Sequence, residues 1–186
     1  MTLLKISICS FVLSVILIWP VVIKSQPIAI RAGIYDFTDI TASEFYLLAP
    51  TILLGYDVWK KSRVTLNLST GISFNSVKYD EYRNYLYMVP LMLTVNYDLP
   101  NPNASVWPVI GMGISALGTA NKNRNLVKTY YSLAYGFPAT GGLRFRLNKK
   151  LVFTFDLTYN LLIPPVSENV NLNGIIITIG LRLPVK

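Results

Sequence analysis

The residues best suited to chemistry in this sequence are arginines and aspartates that stand inside short, otherwise largely uncharged segments. Guanidinium and carboxylate groups that leave water persist when they pair and hydrogen-bond with one another. The sequence therefore predicts a network of ion pairs that fills an interior space. An anion-selective constriction in a pore is the alternative use of the same groups. The residues of this predicted network are Arg31, Asp57, Arg63, Asp98, Arg144, Arg146, Asp156 and Arg182.

Other catalytic chemistry is restricted by what the chain lacks. The sequence contains no histidine, and its one cysteine, Cys9, lies in an apolar N-terminal stretch. Nucleophiles activated by histidine and metal sites built on histidine are therefore excluded. Asp80 and Glu81 are adjacent carboxylates that could act as acid and base, but a solvated loop is the simpler interpretation. We predict a protein that is not an enzyme and that holds neither a cofactor nor a metal.

Alternation of apolar and polar residues with a period of two dominates the chain and predicts β-strands with two unlike faces. The clearest case is residues 63–75, and the pattern recurs at 131–147, 151–161 and 175–183. One face of residues 63–75 is polar or small, and it includes Asn67, Ser69 and Ser73. The opposite face carries Val64, Leu66, Leu68, Thr70, Ile72 and Phe74. These faces suit a small polar lumen on one side and lipid on the other.

The number and length of the segments predict the fold class. Four further strands are predicted at 28–37, 45–58, 85–98 and 106–120, which makes about eight. Charged residues are only 14% of the chain, whereas a soluble domain carries about 25%. After residue 25 no apolar run approaches the roughly 20 residues of a transmembrane helix. We therefore predict an all-β fold, an eight-stranded antiparallel transmembrane β-barrel with strands of about 9–11 residues in the bilayer.

The predicted connections orient this barrel. Short turns are expected at 59–62, 99–105 and 148–150, and longer loops at 38–44, 76–84, 121–129 and 164–173. Bacterial barrels have short periplasmic turns and longer external loops, which places the arginines and aspartates toward the periplasmic side. The basic loop that contains Lys122, Arg124 and Lys128 is then external and is a candidate contact for glycolipid phosphates. A merely solvated loop is the alternative.

The N-terminal residues have the pattern of a secretory signal. Lys5 precedes an apolar core that extends from residue 6 to residue 23, and Ser25 is a small residue at a suitable cleavage point. We expect a signal peptide over residues 1–25 and one barrel domain over residues 26–186, with an uncleaved anchor helix as the alternative. The net charge of +8 favours anionic lipid headgroups as partners. Nucleic acid is not an expected partner, because no contiguous Lys/Arg block occurs.

Glycines, prolines and aromatic residues each have an expected role that depends on their position in the predicted strands. Glycines on the polar faces are expected to leave room for a bulky neighbour: Gly71, Gly136, Gly142 and Gly180. Prolines, which lack a ladder donor, are expected to mark bulges or interruptions: Pro50, Pro90, Pro108 and Pro138. Aromatic residues near strand ends are expected to form girdles at the lipid headgroups: Tyr46, Tyr56, Trp59, Tyr85, Tyr87, Tyr97, Trp107, Tyr130 and Tyr131.

Four segments resemble strands of the PorT-like outer-membrane β-barrel family, which is related to the small OmpA-, OmpX- and OmpW-like barrels. They are YMVPLMLTVNY at 87–97, PVIGMGI at 108–114, GGLRFRLNKKL at 141–151 and ITIGLRL at 177–183. The resemblance implies an eight-stranded barrel in the bacterial outer membrane with no defined catalytic residues. The expected partners are outer-membrane lipid and glycolipid and the outer-membrane assembly machinery, and the expected state is a monomer.

Three functions are compatible with these features. The first is a non-enzymatic barrel with a structural or surface-binding role. The second is a narrow channel or carrier for small or apolar solutes, as in OmpW-like proteins. The third is a soluble calycin-like ligand carrier, which requires the apolar faces of the strands to lie inside the barrel.

Overall fold

A computed structural model of the protein describes residues 27–46, 48–79, 82–99, 105–123, 128–148, 150–163 and 171–183. Within these ranges the predicted fold class is confirmed, because eight antiparallel strands form one closed barrel in chain order. Strand β1 pairs with both β2 and β8, so the ring is complete. The strands are β1 Ile28–Phe37, β2 Leu48–Lys61, β3 Val64–Tyr79, β4 Tyr82–Asp98, β5 Val106–Asn123, β6 Lys128–Asn148, β7 Leu151–Ile163 and β8 Gly174–Leu183.

A short helix, α1 (Ile40–Phe45), joins β1 to β2. Asp39 caps its first turn, because the Asp39 carboxylate accepts a hydrogen bond from the backbone N–H of Ala42 at 3.1 Å. No described helix is long and apolar enough to cross a membrane. The predicted signal peptide at residues 1–25 lies outside the described residues, and so do Asp80 and Glu81.

The two faces predicted for the strands are confirmed. In β7 the polar residues Thr154, Asp156 and Asn160 are buried inside the barrel, whereas Leu157 and Leu161 are exposed on its outer surface. Strand β3 has the same arrangement, and its buried polar residues are Thr65, Asn67, Ser69, Ser73 and Asn75. Large apolar side chains therefore cover the outside of the barrel, as lipid requires. The calycin-like alternative does not fit this arrangement, because it places those side chains inside.

Strands β3, β4, β5 and β6 are longer than predicted, at 16, 17, 18 and 21 residues. Tyr79 pairs with Tyr82, and Asn123 pairs with Lys128. The predicted loops at 76–84 and 121–129 therefore shrink to residues 80–81 and 124–127. Alternation fades at these strand ends because both faces there carry polar residues, although cross-strand pairing continues. Since about 9–11 residues cross a bilayer, these four strands extend beyond it. We call their protruding ends, residues 76–79, 82–84, 121–123 and 128–129, the extended wall.

The prolines inside the strands neither break them nor form bulges. Pro50 and Pro108 lie on the outer surface, and Pro90 and Pro138 are buried inside. The β3–β4 ladder lacks the pairs of Gly71 with Pro90 and of Ile72 with Val89, and it then resumes in the same register. The register shifts lie elsewhere, at Asp57/Trp59 and at Arg146/Asn148. The prolines therefore form no bulges, and the predicted interruptions are present only as local gaps in the ladder at Pro90 and Pro138.

Most of the predicted girdle residues face outward. Exposed rings on the outer face are present near the strand ends on both sides of the barrel: Trp59, Tyr87, Tyr97 and Tyr131. Tyr46 and Trp107 are exceptions, because both side chains are buried. Tyr46 follows α1 into the mouth of the barrel, and the indole of Trp107 donates a hydrogen bond to Asp98 in the lumen at 3.2 Å.

Candidate functional site: the lumen of the barrel

The lumen has two unlike halves, which we name by their contents. The apolar half lies at the end that carries α1 and is dominated by one hydrophobic cluster, which also surrounds the buried polar side chains of Thr51, Ser73 and Asn160. The charged half lies at the opposite end, where β1 begins and β8 ends. This division was not predicted, because the alternation indicated a polar lumen throughout. The apolar half contains Tyr35, Phe37, Ala42, Tyr46, Ala49, Leu53, Leu86, Met88, Met92, Leu117, Ala134, Leu162, Leu172 and Ile176.

Asp156 is the central carboxylate of the charged half. Its side chain is 1% exposed and accepts hydrogen bonds from two arginines. Arg144 Nη1 lies 2.6 Å from Asp156 Oδ1, and Arg31 Nη1 lies 3.4 Å from Asp156 Oδ2. Arg144 comes from the neighbouring strand β6, and Arg31 comes from β1, beyond β8. Asp156 therefore joins strands on both of its sides.

Arg182 does not share Asp156, although its strand β8 lies beside β7. Its guanidinium instead contacts Asp57 Oδ2, and Asn67 Nδ2 donates to Asp57 Oδ1 at 2.9 Å. Closure of the ring brings Arg31 next to β8, where it takes the second position on Asp156. Arg182 then reaches across β1 to Asp57 on β2. The pairing depends on the closure of β1 on β8, which the order of strands in the sequence does not show.

Asp98 forms a third group at the rim of the charged half. Its Oδ1 accepts from the Trp107 indole, and its Oδ2 lies 3.7 Å from Lys60 Nζ. Lys60 was not among the predicted network residues. The irregularity between Asp57 and Trp59 reverses the alternation in β2, so that Trp59 pairs with outward-facing Leu66 while Lys60 pairs with inward-facing Thr65. A period-two count across this point cannot find Lys60.

Six of the eight predicted network residues thus lie together in the lumen, and Arg63 and Arg146 do not. Arg63 lies in the β2–β3 turn, and no ion pair joins it to a carboxylate among the described residues. Arg146 is exposed, and its guanidinium carbon lies 5.4 Å from the centre of the Trp107 ring. Both residues occupy the end of the barrel rather than its interior.

Glycines make room for the charged side chains, as predicted for Gly142 and Gly180. A Cβ atom at Gly142 would collide with the Asp156 carboxylate, and one at Gly180 would collide with Arg31. A third glycine, Gly55, lies against Arg31 Nη2. Because these glycines have no side chains, two arginines and an aspartate fit within one small barrel.

The mouth of the apolar half is closed by the chain itself. The Tyr35 hydroxyl donates to the backbone carbonyl of Leu172 at 2.6 Å, and Asn121 Nδ2 donates to the Tyr46 hydroxyl at 2.7 Å. The ring of Phe37 packs between those of Tyr35 and Tyr46, with centroid distances of 5.1 and 5.8 Å. These contacts tie α1 and the segment before β8 over the barrel.

The predicted glycolipid-contact residues lie at the tip of the extended wall. Lys122 is exposed near the end of β5, and Lys128 begins β6. Arg124 lies outside the described residues. By register Asn123 pairs with Lys128, so the two lysines stand on adjacent strands close to the tip.

The barrel is similar to solved bacterial outer-membrane proteins. A major outer membrane protein from Thermus thermophilus has a TM-score of 0.63 and 11% identity, covering 87% of this chain and 99% of that chain. OprG from Pseudomonas aeruginosa has a TM-score of 0.62 and 14% identity, covering 87% and 97%. Neisserial surface protein A has a TM-score of 0.57 and 13% identity, covering 87% and 96%.

No protein-family model matches the chain, and no curated protein matches it. The resemblance to the PorT-like family therefore stays a prediction. The solved structures share the fold at low identity, and they are bacterial outer-membrane proteins with eight-stranded barrels. Fold, apolar outer surface and filled lumen define a small transmembrane β-barrel of the bacterial outer-membrane type.

Proposed function

We propose that this protein is a non-enzymatic component of the bacterial outer membrane that acts through its outer surface and not by passing solutes. One observation carries the proposal: packed apolar side chains fill the half of the lumen at the α1 end. An eight-stranded barrel is just wide enough for its own side chains. In the absence of a path through the barrel, the part of the molecule left for recognition is its external end.

The apolar half argues against the channel and carrier alternatives. Tyr35, Leu53, Met88, Leu117 and Ile176 are all within 2% of complete burial. A polar solute would have to leave water and cross this cluster, which costs roughly several kcal/mol for each unpaired polar group. An apolar solute would have to displace side chains that already pack against one another. Neither route is compatible with the lumen as it stands.

The extended wall is the surface that we propose for recognition, with anionic glycolipid headgroups as its ligand. By register Lys78 pairs with Arg83 at the tip of the β3–β4 hairpin. The β5–β6 hairpin beside it carries Lys122 and Lys128. Arginine and lysine form charge-assisted hydrogen bonds to phosphate. Two neighbouring hairpin tips of the extended wall therefore carry basic residues.

Expected partners of the barrel follow from the same proposal. Lipid surrounds the apolar outer surface, and the outer-membrane assembly machinery inserts the chain. A monomer is expected, because the closed ring leaves no strand edge for a second chain to extend. PorT-like family membership is proposed on the strength of the four sequence segments.

Conductance measurements separate the proposed function from transport. We expect the purified, folded protein to fractionate with outer membranes, to show heat-modifiable migration and to produce no discrete conductance steps in planar bilayers. Heat-modifiable migration is the control that the inserted protein is folded. Reproducible unit conductance from heat-modifiable protein would overturn the proposal and favour the channel.

Glycolipid recognition is tested by charge removal at the tip of the wall. We expect the double substitution Lys122→Gln and Lys128→Gln to weaken binding to vesicles that contain lipopolysaccharide by about thirtyfold, since each lysine contributes about 1 kcal/mol near an anionic surface. Lys150→Gln, which removes an exposed lysine at the opposite end of the barrel, is the control. An equal loss of binding free energy per removed lysine in the double variant and in Lys150→Gln would mean that net charge, and not the wall, determines binding.

A further inference from the structure

A small cavity lies in the charged half of the lumen. Its volume is about 30 Å³, and its lining includes Arg31, Arg144, Thr154 and Asp156. A cavity needs about 10–15 Å³ of such volume to hold one water molecule. The space is therefore sufficient for two waters, or for one monatomic ion and a water.

Hydrogen-bond donors without partners surround this cavity. Arg31 Nε, Arg31 Nη2, Arg144 Nε and Thr154 Oγ1 are buried and have no partner among the described residues. The side chain of Arg144 is 7% exposed, and that of Thr154 is buried. Guanidinium nitrogens donate only, and a hydroxyl can also donate. An acceptor in the cavity would satisfy all of these groups.

The carboxylates of the lumen are already engaged by other donors or cations. Each oxygen of Asp57, Asp98 and Asp156 already has one partner within the barrel. Asp156 is shared by two guanidinium groups, so this part of the lumen carries one positive charge in excess. A buried charge without a counterion is costly. Both the hydrogen bonding and the charge therefore call for an anion.

The register brings the donors into one row around the barrel. Arg144 pairs with Thr154, Thr154 pairs with Gly180, and Gly180 pairs with Arg31. We propose that the cavity beside this row forms a binding site for a monatomic anion, chloride, held by Arg31, Arg144 and Thr154. This site is independent of the surface role proposed above.

Chloride is distinguished from water by charge and from larger anions by size. Water can accept hydrogen bonds from the donors but cannot neutralise the excess charge. Sulfate and phosphate are tetrahedral groups with four oxygens, and they need more hydrogen-bond donors around them than Arg31, Arg144 and Thr154 offer to a single ion. The site is thus expected to prefer chloride and bromide to tetrahedral oxyanions.

The test uses the folded full-length barrel in a neutral detergent. We expect broadening of the chloride-35 NMR signal that bromide competes away, and a bromide anomalous peak bordered by Arg31, Arg144 and Thr154 in crystals soaked with sodium bromide. Each tenfold rise in chloride above its dissociation constant should raise the free energy of unfolding by about 1.4 kcal/mol relative to gluconate at equal ionic strength.

Two variants test whether these signals arise from chloride bound at the proposed site. Arg31→Met leaves one arginine for one aspartate, and it should abolish the line broadening and the chloride dependence while the barrel stays folded in gluconate. Thr154→Val should weaken chloride binding by about tenfold through the loss of one hydrogen bond to a charged group. Arg63→Met, which removes an arginine from the same end outside the cavity, should change neither signal.

The outcomes that would overturn the proposal are specific. Equal stability in chloride and in gluconate, with no bromide peak, would mean that the cavity holds water. Line broadening that survives Arg31→Met would place the anion elsewhere. Stabilisation by sulfate that exceeds that by chloride and disappears in Arg31→Met would overturn the assignment to a monatomic anion.

Discussion

Asp156→Asn is expected to lower the free energy of unfolding by about 3–5 kcal/mol, because it leaves buried arginines without their carboxylate. Arg144 and Arg31 both donate to Asp156, which is 1% exposed. The amide of asparagine preserves the size of the side chain but removes the negative charge. Urea unfolding of the barrel in lipid vesicles measures the loss.

Asp98→Asn is the matched control for this substitution. Lys60, the ionic partner of Asp98, is 42% exposed, and water can solvate it when the carboxylate is lost. The expected loss is therefore about 1 kcal/mol or less, as for other exposed pairs. A double-mutant cycle of Asp156→Asn with Arg144→Met should show that the second change recovers part of the loss. Simple additivity of the two changes would contradict the pairing of Asp156 with Arg144.

Leu117→Ala is expected to lower the free energy of unfolding by about 2–5 kcal/mol, because it opens a cavity in the apolar half of the lumen. Leu117 is completely buried on β5, opposite Ala134 of β6. Since Ala134 is small, the neighbouring wall cannot fill the space that the leucine side chain leaves. The same unfolding measurement in vesicles provides the value.

Leu117→Met is the control, since it approximately conserves volume and is expected to cost less than about 1.5 kcal/mol. Both variants should still produce no discrete conductance steps in planar bilayers, because the rest of the apolar cluster stays in place. A loss from Leu117→Ala no larger than that from Leu117→Met would show that water or loose packing already occupies this half. The transport alternative would then regain support.

Strand number and strand faces were predictable because period-two alternation is a local property. Residues 63–75 and 151–161 show which side chains face lipid without any knowledge of their neighbours. Glycines 142 and 180 were also predictable as spaces for bulky side chains, since they interrupt polar faces that carry arginines. The strand ends were less predictable, because the extended wall is polar on both faces and only cross-strand pairing defines it.

The partners within the lumen were predictable only in part, because they depend on register and on closure of the ring. Arg144 and Asp156 lie on consecutive strands, and their pairing follows from the hairpin. Arg182 pairs with Asp57 only because β1 lies between β8 and β2, and Lys60 faces inward only because of the irregularity beside Trp59. The apolar half was missed because its residues come from most of the strands and from α1, and no single segment is distinctive alone.

Closure of the ring also has a kinetic consequence. The Arg31–Asp156 and Arg182–Asp57 pairs each join residues 125 positions apart in the chain. Contacts over such separations carry a large loop-closure entropy and form only after β8 docks on β1. Interactions that are absent from the folding transition state slow unfolding and leave the folding rate nearly unchanged. These ion pairs are therefore expected to change the rate of folding little and to slow the unfolding of the closed barrel.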